Sequence, residues 1–382
     1  MPWKEICALE IRKEMIADWL TKEYTITEIS DSYDVSRKTI YKWIDRYHQN
    51  GMAGLVDLSK GPDYHPNATS IEKVAAMLEL KRQKIKWGPR KILAKLRNDH
   101  PEIKWPADST GNDILKKHGY VFPRKRRRHI PPYTTPFIDC DRSNTVWSAD
   151  YKGQFKMGNK QKCYPLTISD NYSRCLLTCR GLSHPNFEQT KPYFEMAFIR
   201  NGLPLAIRTD NGSPFASRGL AGLSRLSVWF IKLRIVPERI EPGCPEQNGR
   251  HERMHRTLKE ATSNPPKNNM EEQQKAFNHF IEEYNNERPH EALGQKPPSS
   301  VYRPSLRPYP AKLPKVEYDA NVAKRHITNR GCIKWKGNYI FVSEAIEGEY
   351  VALKQVGDQL WQLYFSTYML GILDEKLGRI IR

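Results

Sequence analysis

The chain lacks long apolar runs, paired cysteine motifs and repeats, and it is short of acids. No stretch approaches the roughly 18 apolar residues that a membrane-spanning helix needs, so no membrane partner is expected. The opening MPWKEICALEIRKEM is charged from the start and has no secretion signal. The cysteines stand at 7, 140, 163, 175, 179, 244 and 332, an odd and scattered set that fits a reducing cytoplasm. None forms the paired CxxC spacing of a zinc site. Absence of any period of solenoid length excludes a repeat architecture. The shortage of acids is the most informative: 62 Lys and Arg face 43 Asp and Glu, a formal charge of +19 over 382 residues. Such an excess calls for a polyanionic partner, and double-stranded DNA is the expected one.

The amino-terminal part has helical patterning only. Residues 6–20 form one amphipathic helix. The stretch TITEISDSYDVSRKTIYKWIDRYHQNG then carries a capping box (Thr25 with Glu28), core positions Ile29 and Val35, and a second cap at Ser36. This spacing predicts a helix-turn-helix whose second helix runs to about Gln49. Arg37, Lys38 and Lys42 lie in its first turns, where such a helix enters a major groove. A linker at 58–70 leads to a second helical unit: Ile71–Lys86, a helix opened by Pro89 in WGPRKI, and Asp108–Lys117 as a reading helix. Arg124, Lys125, Arg126, Arg127 and Arg128 follow in a Pro-rich connector suited to tracking phosphates.

From about 143 strands alternate with helices. TVWSADYKGQF, KCYPLTISDN and RCLLTCRGL predict a three-strand meander, PNFEQTKPYFEMAFIRNG a helix, and LAIRTDNG a fourth strand. Asp150 lies inside the first strand and Asp210 ends the fourth. Asp-Asn-Gly is also ordinary turn chemistry, and Asp150 could face solvent. In EPGCPEQNGRHERMHRTLKE a loop of Pro and Gly, able to move against the sheet, delivers Glu252 onto a basic helix. Glu252, Arg256 and Lys259 share one face at i, i+4, i+7, with Met254, Leu258 and Ala261 expected to pack inward. An intrahelical ion pair on a solvated face is the plain alternative. Three carboxylates converging from two strands and a helix would make a hard-oxygen site for Mg²⁺ or Mn²⁺. Two such ions suit in-line phosphoryl transfer, and Arg256 and Lys259 would face DNA phosphates. Prolines 304, 308, 310 and 314 mark a stiff linker that could carry the last domain to a neighbouring protomer. The β-rich end, with Gly turns, suggests a small barrel.

TDNGSPF at 209–215, PGCPEQNGRHERMHRTLKE and YNNERPHEALGQKPPSSVY together resemble the catalytic core of the integrase-like DDE transposases, which include retroviral integrases and bacterial insertion-sequence transposases. VWSADYKGQF is similar to the family's first Asp motif and WGPRKI to its second helical unit. The resemblance implies an RNase H-like fold, two divalent ions per site, and Asp150, Asp210 and Glu252 as catalytic metal ligands. Forty-one residues separate Asp210 from Glu252, more than the family's usual spacing. SRGLAGLSRL is the expected insertion, and Glu246 stands as a rival ligand. Asp170 also matches a family position and is expected to be structural. With no amino-terminal His/Cys zinc motif, the bacterial branch is favoured, and with it a place in the cytoplasm at the nucleoid.

The expected organisation is multidomain. Two helix-turn-helix domains (1–57 and 69–122) precede a basic linker (123–142), an α/β RNase H-like core (143–303) and a small β-barrel domain (317–382). The expected function is that of a transposase which binds an element's terminal inverted repeats, cleaves the ends and joins them to target DNA. It would act as a homodimer or larger homo-oligomer. The rivals are a DNA-binding regulator with a dead core, and an RNase H-type nuclease.

Overall fold

The computed structural model describes residues 7–58, 68–121, 140–151, 153–217, 220–241 and 249–381. The basic run Arg124–Arg128, most of the 123–142 linker, Glu246 and the Pro/Gly loop before Glu252 lie outside these. The chain divides into two compact units, Met1–Ser70 and Ile71–Arg382.

The first unit holds three helices: α1 (Ala8–Thr21), α2 (Ile26–Ser32) and α3 (Arg37–Asn50). Thr25 caps α2 as expected, with its backbone N–H donating to the Glu28 carboxylate at 2.7 Å. Ser36 caps α3 by accepting from Thr39 N at 3.2 Å. Asp34, at φ 50°, makes the left-handed step between α2 and α3. Ile16, Ile29, Ile40 and Leu55 form a closed core. The buried Trp43 ring is flanked by the guanidinium groups of Arg12 and Arg46, 4.0 and 4.6 Å from its centroid. These stems cover the aromatic face while their charge stays at the surface.

The second unit begins with α4 (Ile71–Gln83), α5 (Pro89–Asp99) and α6 (Asp108–Lys117). Helix α4 stops before the expected Lys86. The Lys81 amine there donates to the carbonyls of Ile85 and Trp87 at 2.5 and 2.7 Å, closing the turn into α5.

A mixed sheet follows. Its strands are β1 (Val146–Tyr151), β2 (Phe155–Lys156), β3 (Lys162–Asp170), β4 (Leu176–Leu182), β5 (Ala206–Thr209) and β6 (Val236–Arg239). The order is β4–β3–β1–β5–β6, with β2 pairing along β3. The expected meander is antiparallel, whereas β1–β5 and β5–β6 are parallel. This is the mixed sheet of an RNase H-like core. Helices α7 (Phe187–Asn201) and α8 (Arg225–Lys232) cover one face, where Trp147, Ala149, Leu166 and Ile168 meet Phe194, Phe198 and Phe230. Helices α9 (Gly249–Thr262) and α10 (Met270–Glu282) cover the other, through Met254, Leu258, Phe277 and Phe280. A short helix α11 (Pro298–Val301) ends the core.

The motif YNNERPHEALGQK is scaffolding. It continues α10 as a π-helical turn over Glu283–Glu287. Asn285 uses its whole amide on β4, accepting from Leu176 N at 2.8 Å and donating to Leu176 O at 2.9 Å. The edge strand thus gains a side chain in place of a further strand. The carboxylate of buried Asp170 accepts from Asn144 N and from Ser173 N and Oγ at 2.6–2.8 Å, which ties the β3–β4 turn to the start of β1. It is structural, as expected.

The carboxy-terminal part contains β7 (Ala323–His326), β8 (Cys332–Trp335), β9 (Asn338–Phe341), β10 (Tyr350–Gly357), β11 (Leu360–Phe365), β12 (Tyr368–Asp374) and β13 (Arg379–Ile381). It is β-rich with Gly turns, as expected. Its strands form an antiparallel sheet β13–β12–β11–β10–β7 and a separate β8–β9 hairpin. Among the described residues no pairing joins these into a closed barrel.

The 304–314 segment, expected as a stiff linker reaching toward a neighbouring protomer, is instead bonded to its own core. Ser305 N donates to Asn201 O, Leu203 N to Arg307 O, and the Arg307 guanidinium to the carbonyls of Pro204, Leu233 and Arg234. The prolines keep this strap extended, and Arg307 pins it to its own core. The β module packs on α8, sharing a core of Ile327, Val342 and Phe365 with Leu223, Val228 and Ile231. Lys232 pairs with Glu349 at 2.5 Å across this contact. SRGLAGLSRL, the expected insertion, therefore helps to seat this module.

Replacing Asn285 with Ala should cost about 1–3 kcal/mol of unfolding free energy, because both polar groups of Leu176 lose their partner. Urea unfolding would measure it. A loss below a few tenths would show that β4 does not depend on this staple.

Candidate active site

Strand alternation aims the acids. Along β1, Trp147 and Ala149 enter the α7–α8 core, so Ser148 and Asp150 face α9. Along β3, Leu166 and Ile168 enter the same core, so Thr167 and Ser169 also face α9. Asp150 is level with Thr167. The parallel register of β1 on β5 pairs Val146 with Ala206 and Ser148 with Arg208. Asp150 lies two residues beyond Ser148 on β1, and Asp210 follows directly after β5, which ends at Thr209, so both acids lie toward the same end of these two paired strands.

Helix α9 is seated on this face by two buried histidines. His251 bridges Thr167 Oγ1 through Nε2 at 2.7 Å and Ser169 Oγ through Nδ1 at 2.8 Å. His255 Nε2 meets the same Thr167 hydroxyl at 2.6 Å, and its Nδ1 lies 3.7 Å from Asp150 Oδ2. Thr167 Oγ1 also donates to the Asp150 carbonyl at 3.1 Å. One threonine hydroxyl thus ties α9 to the strand that bears Asp150. Glu252, one turn before His255, is exposed with Arg256 and Lys259, the shared face expected from their spacing. The inward face shares only Met254 and Leu258 with the expected one. Ala261 is exposed, and the buried stripe is His251, Met254, His255, Leu258 and Thr262. Its i, i+3, i+4, i+7 spacing was available in the sequence, but counting the histidines as surface polar residues hides it.

Asp210 is half-buried. Burial raises its carboxyl pKa, against the lowering effect of a hydrogen bond from Gly212 N at 3.1 Å. On the neighbouring strands Arg208 and Glu238 form a buried pair at 2.6 Å, which closes the β5–β6 side. Among the expected DNA contacts, Arg37, Lys38 and Lys42 are exposed at the start of α3, with the Lys42 amine 5.0 Å from the Trp43 ring.

The integrase core domain family matches residues 141–245 and again 233–298. A helix-turn-helix domain matches 11–62 and a homeodomain-like domain 39–115. The chain therefore carries an integrase core over residues 141–298. Its combination of helix-turn-helix domains and integrase core is that of an insertion-sequence transposase, with a role in DNA binding and integration. It is 24% identical over 254 residues to an uncharacterized 39.2 kDa protein of insertion element IS476 from Xanthomonas euvesicatoria, covering 64% of this chain and 69% of that one. Among solved structures it is similar to the HTLV-2 integrase catalytic core domain in complex with magnesium (trimeric form), at 19% identity and a TM-score of 0.34, over 43% of this chain and 100% of that one. It is also similar to the simian T-cell lymphotropic virus intasome in complex with PP2A regulatory subunit B56 gamma. That likeness has 17% identity and a TM-score of 0.38, over 72% of this chain and 97% of that one.

Integrase cores use divalent metals. The donor chemistry here fits such an ion: carboxylate oxygens toward the same end of two paired parallel strands, with Asp210 half-buried and beside no cation among the described residues. Among the described residues, however, no group of three or more His, Cys, Asp or Glu side chains is gathered to hold a metal. Nor is any helix there long and apolar enough to cross a membrane.

Burial pushes the His251 pKa down from the ordinary 6.5 to about 3, so the folded chain holds it neutral while the unfolded chain protonates it below 6.5. The unfolded state then binds more protons. The stability due to His251 is complete above pH 6.5 and drains as pH falls toward 3, at about 1.4 kcal/mol per pH unit. His251→Gln, which keeps a donor and an acceptor, should flatten the acid side of a stability–pH profile. An unchanged slope would contradict a neutral, buried His251.

Proposed function

We propose that this integrase-superfamily protein is a transposase that binds the terminal inverted repeats of a mobile element, cleaves the ends, and joins their 3′-hydroxyls to target DNA. The observation that supports this reading is that His255, one turn after Glu252 on α9, lies 3.7 Å from Asp150 Oδ2, while Asp210 directly follows β5, the strand paired with β1. Asp150, Asp210 and Glu252 would hold two Mg²⁺ (or Mn²⁺) ions. When bound, these supply charge to activate a nucleophile and to stabilise the leaving oxygen in phosphoryl transfer. The chain's own residues do the rest. Arg256 and Lys259 share the exposed face of α9 with Glu252 and meet the phosphates that flank the reacting bond. Arg37, Lys38 and Lys42 enter the major groove of the element end. Arg124, Lys125, Arg126, Arg127 and Arg128 track phosphates between the DNA-reading part and the core. Joining two ends to one target needs two active sites, so the working form is a homodimer or larger homo-oligomer on paired ends, acting in the cytoplasm at the bacterial nucleoid.

A regulator with a dead core would have no use for the acids, and all three are present. An RNase H-type nuclease acting on hybrids would have no use for helix-turn-helix domains.

Labelled element ends incubated with the protein and Mg²⁺ test the proposal. Asp150→Asn, Asp210→Asn and Glu252→Gln should each lower nicking and joining by at least about 100-fold, since a ligand's charge is lost while its shape is kept. End binding in a gel shift should stay within a few-fold. Near-normal cleavage by Glu252→Gln alongside a dead Glu246→Gln would move the third ligand to Glu246.

A further inference from the structure

The helical unit at α4–α6 is expected from its sequence to be a separate module, yet it belongs to the same compact unit as the core. One of its sides is fastened to the segment that follows α10. Lys84 pairs with Glu287 at 2.7 Å and Glu283 at 3.4 Å, and Arg90 with Glu291 at 3.2 Å. Lys91 Nζ, largely buried, donates to the Pro289 carbonyl at 2.5 Å, and Asn98 Nδ2 to the Gln295 carbonyl at 3.3 Å. The Arg288 guanidinium lies 6.0 Å from the centroid of the buried Trp87 ring. Lys84 and Lys91 of this helical unit are here committed to acids and a carbonyl of the core, while Arg90 stays largely exposed and also lies 3.8 Å from Asp108 of α6.

The receiving segment is rigidly connected to the candidate active site. It continues α10 without a break, and Phe277, Phe280 and Tyr284 pack in one cluster with Met254 and Leu258 of α9. Helix α9 carries Glu252 and is bonded to the Asp150 strand through Thr167. Meanwhile α6 leaves Ser109, Thr110, Asp113, Lys116 and Lys117 exposed.

We propose that the contact of residues 84–98 with residues 283–295 is a gauge: it fixes the spacing between the base pairs read by α4–α6 and the phosphodiester presented to the acids. Lys84, Arg90, Glu283, Glu287 and Glu291 are then specificity-determining residues for the position of the cut. They act through placement and touch no reacting atom. A flexibly tethered reader would let the end slide by one or more nucleotides, about 3.4 Å of helix axis each, whereas several short polar contacts hold the two parts to a fraction of that distance.

This inference rests on the proposed transposase activity, and one experiment separates the two. End-labelled element DNA is incubated with the full-length protein and Mg²⁺, and the cut is mapped at nucleotide resolution. Wild type should cut at one phosphate. The Lys84→Glu, Arg90→Glu double variant should spread cutting over neighbouring phosphates while total cutting stays within about fivefold. Adding Glu283→Lys, Glu287→Lys and Glu291→Lys, which restores the three pairs with reversed sign, should return the single position. Failure of wild type to cut at all would remove the underlying activity. A wild type that cuts while the double variant cuts at the same single phosphate would overturn the gauge. So would a loss of cutting in the double variant that the reversed pairs do not rescue.

Discussion

The seating of α9 on β3 is the contact on which the active-site assignment depends. An apolar seat alone would let a helix roll or slide by several tenths of an ångström, because its energy depends weakly on rotation. Thr167 removes that freedom. Its single hydroxyl meets the Nε2 atoms of both His251 and His255 and the carbonyl of Asp150, all within 3.1 Å. Buried hydrogen bonds are directional and costly to leave unmade. They therefore set the height and rotation of the helix, and Glu252 inherits both. Met254 and Leu258 add the apolar burial that drives α9 onto the sheet, while the histidines decide where it stops.

Much of the remaining architecture transmits that placement. Phe277 and Phe280 of α10 close the cluster beneath α9, and Asn285 anchors the end of the same segment to β4. The Arg307 strap and the packing of the β module on α8 make the carboxy-terminal part a fixture of its own core. A protein that binds DNA for integration gains from such fixtures, since each bond set in advance lowers the ordering cost when the DNA binds.

Legibility from sequence followed the physics of each element. Helix starts are marked locally, so the caps Thr25 and Ser36 and the first-turn residues Pro89 and Asp108 mark their helices closely. The strands around Asp150 and Asp210 were legible from β-branched and aromatic residues bounded by turns. Strand β6 was not, because VPER is four residues long and contains a proline, which only an edge strand such as this tolerates. Residue types did not reveal that His251 and His255 are buried: a histidine suits either a solvated face or a satisfied core, and only Thr167 and Ser169, more than 80 positions away, decide between them. The same holds for the linker prolines, which read as a stiff spacer reaching outward until Arg307 finds three carbonyl partners on its own core. Composition could likewise not assign the charge of Lys84 and Arg90, which pair with core acids about 200 residues on.

The proposed chemistry requires that Asp150, Asp210 and Glu252 come together around the same pair of ions. The most direct measurement is to load the protein with Fe²⁺ in place of Mg²⁺, generate hydroxyl radicals with ascorbate and peroxide, and map where the polypeptide is cut. Assembly of the three acids predicts cuts clustered beside residues 150, 210 and 252, all lost together in Asp210→Asn. Cuts beside 150 and 210 with none near 252 would contradict it.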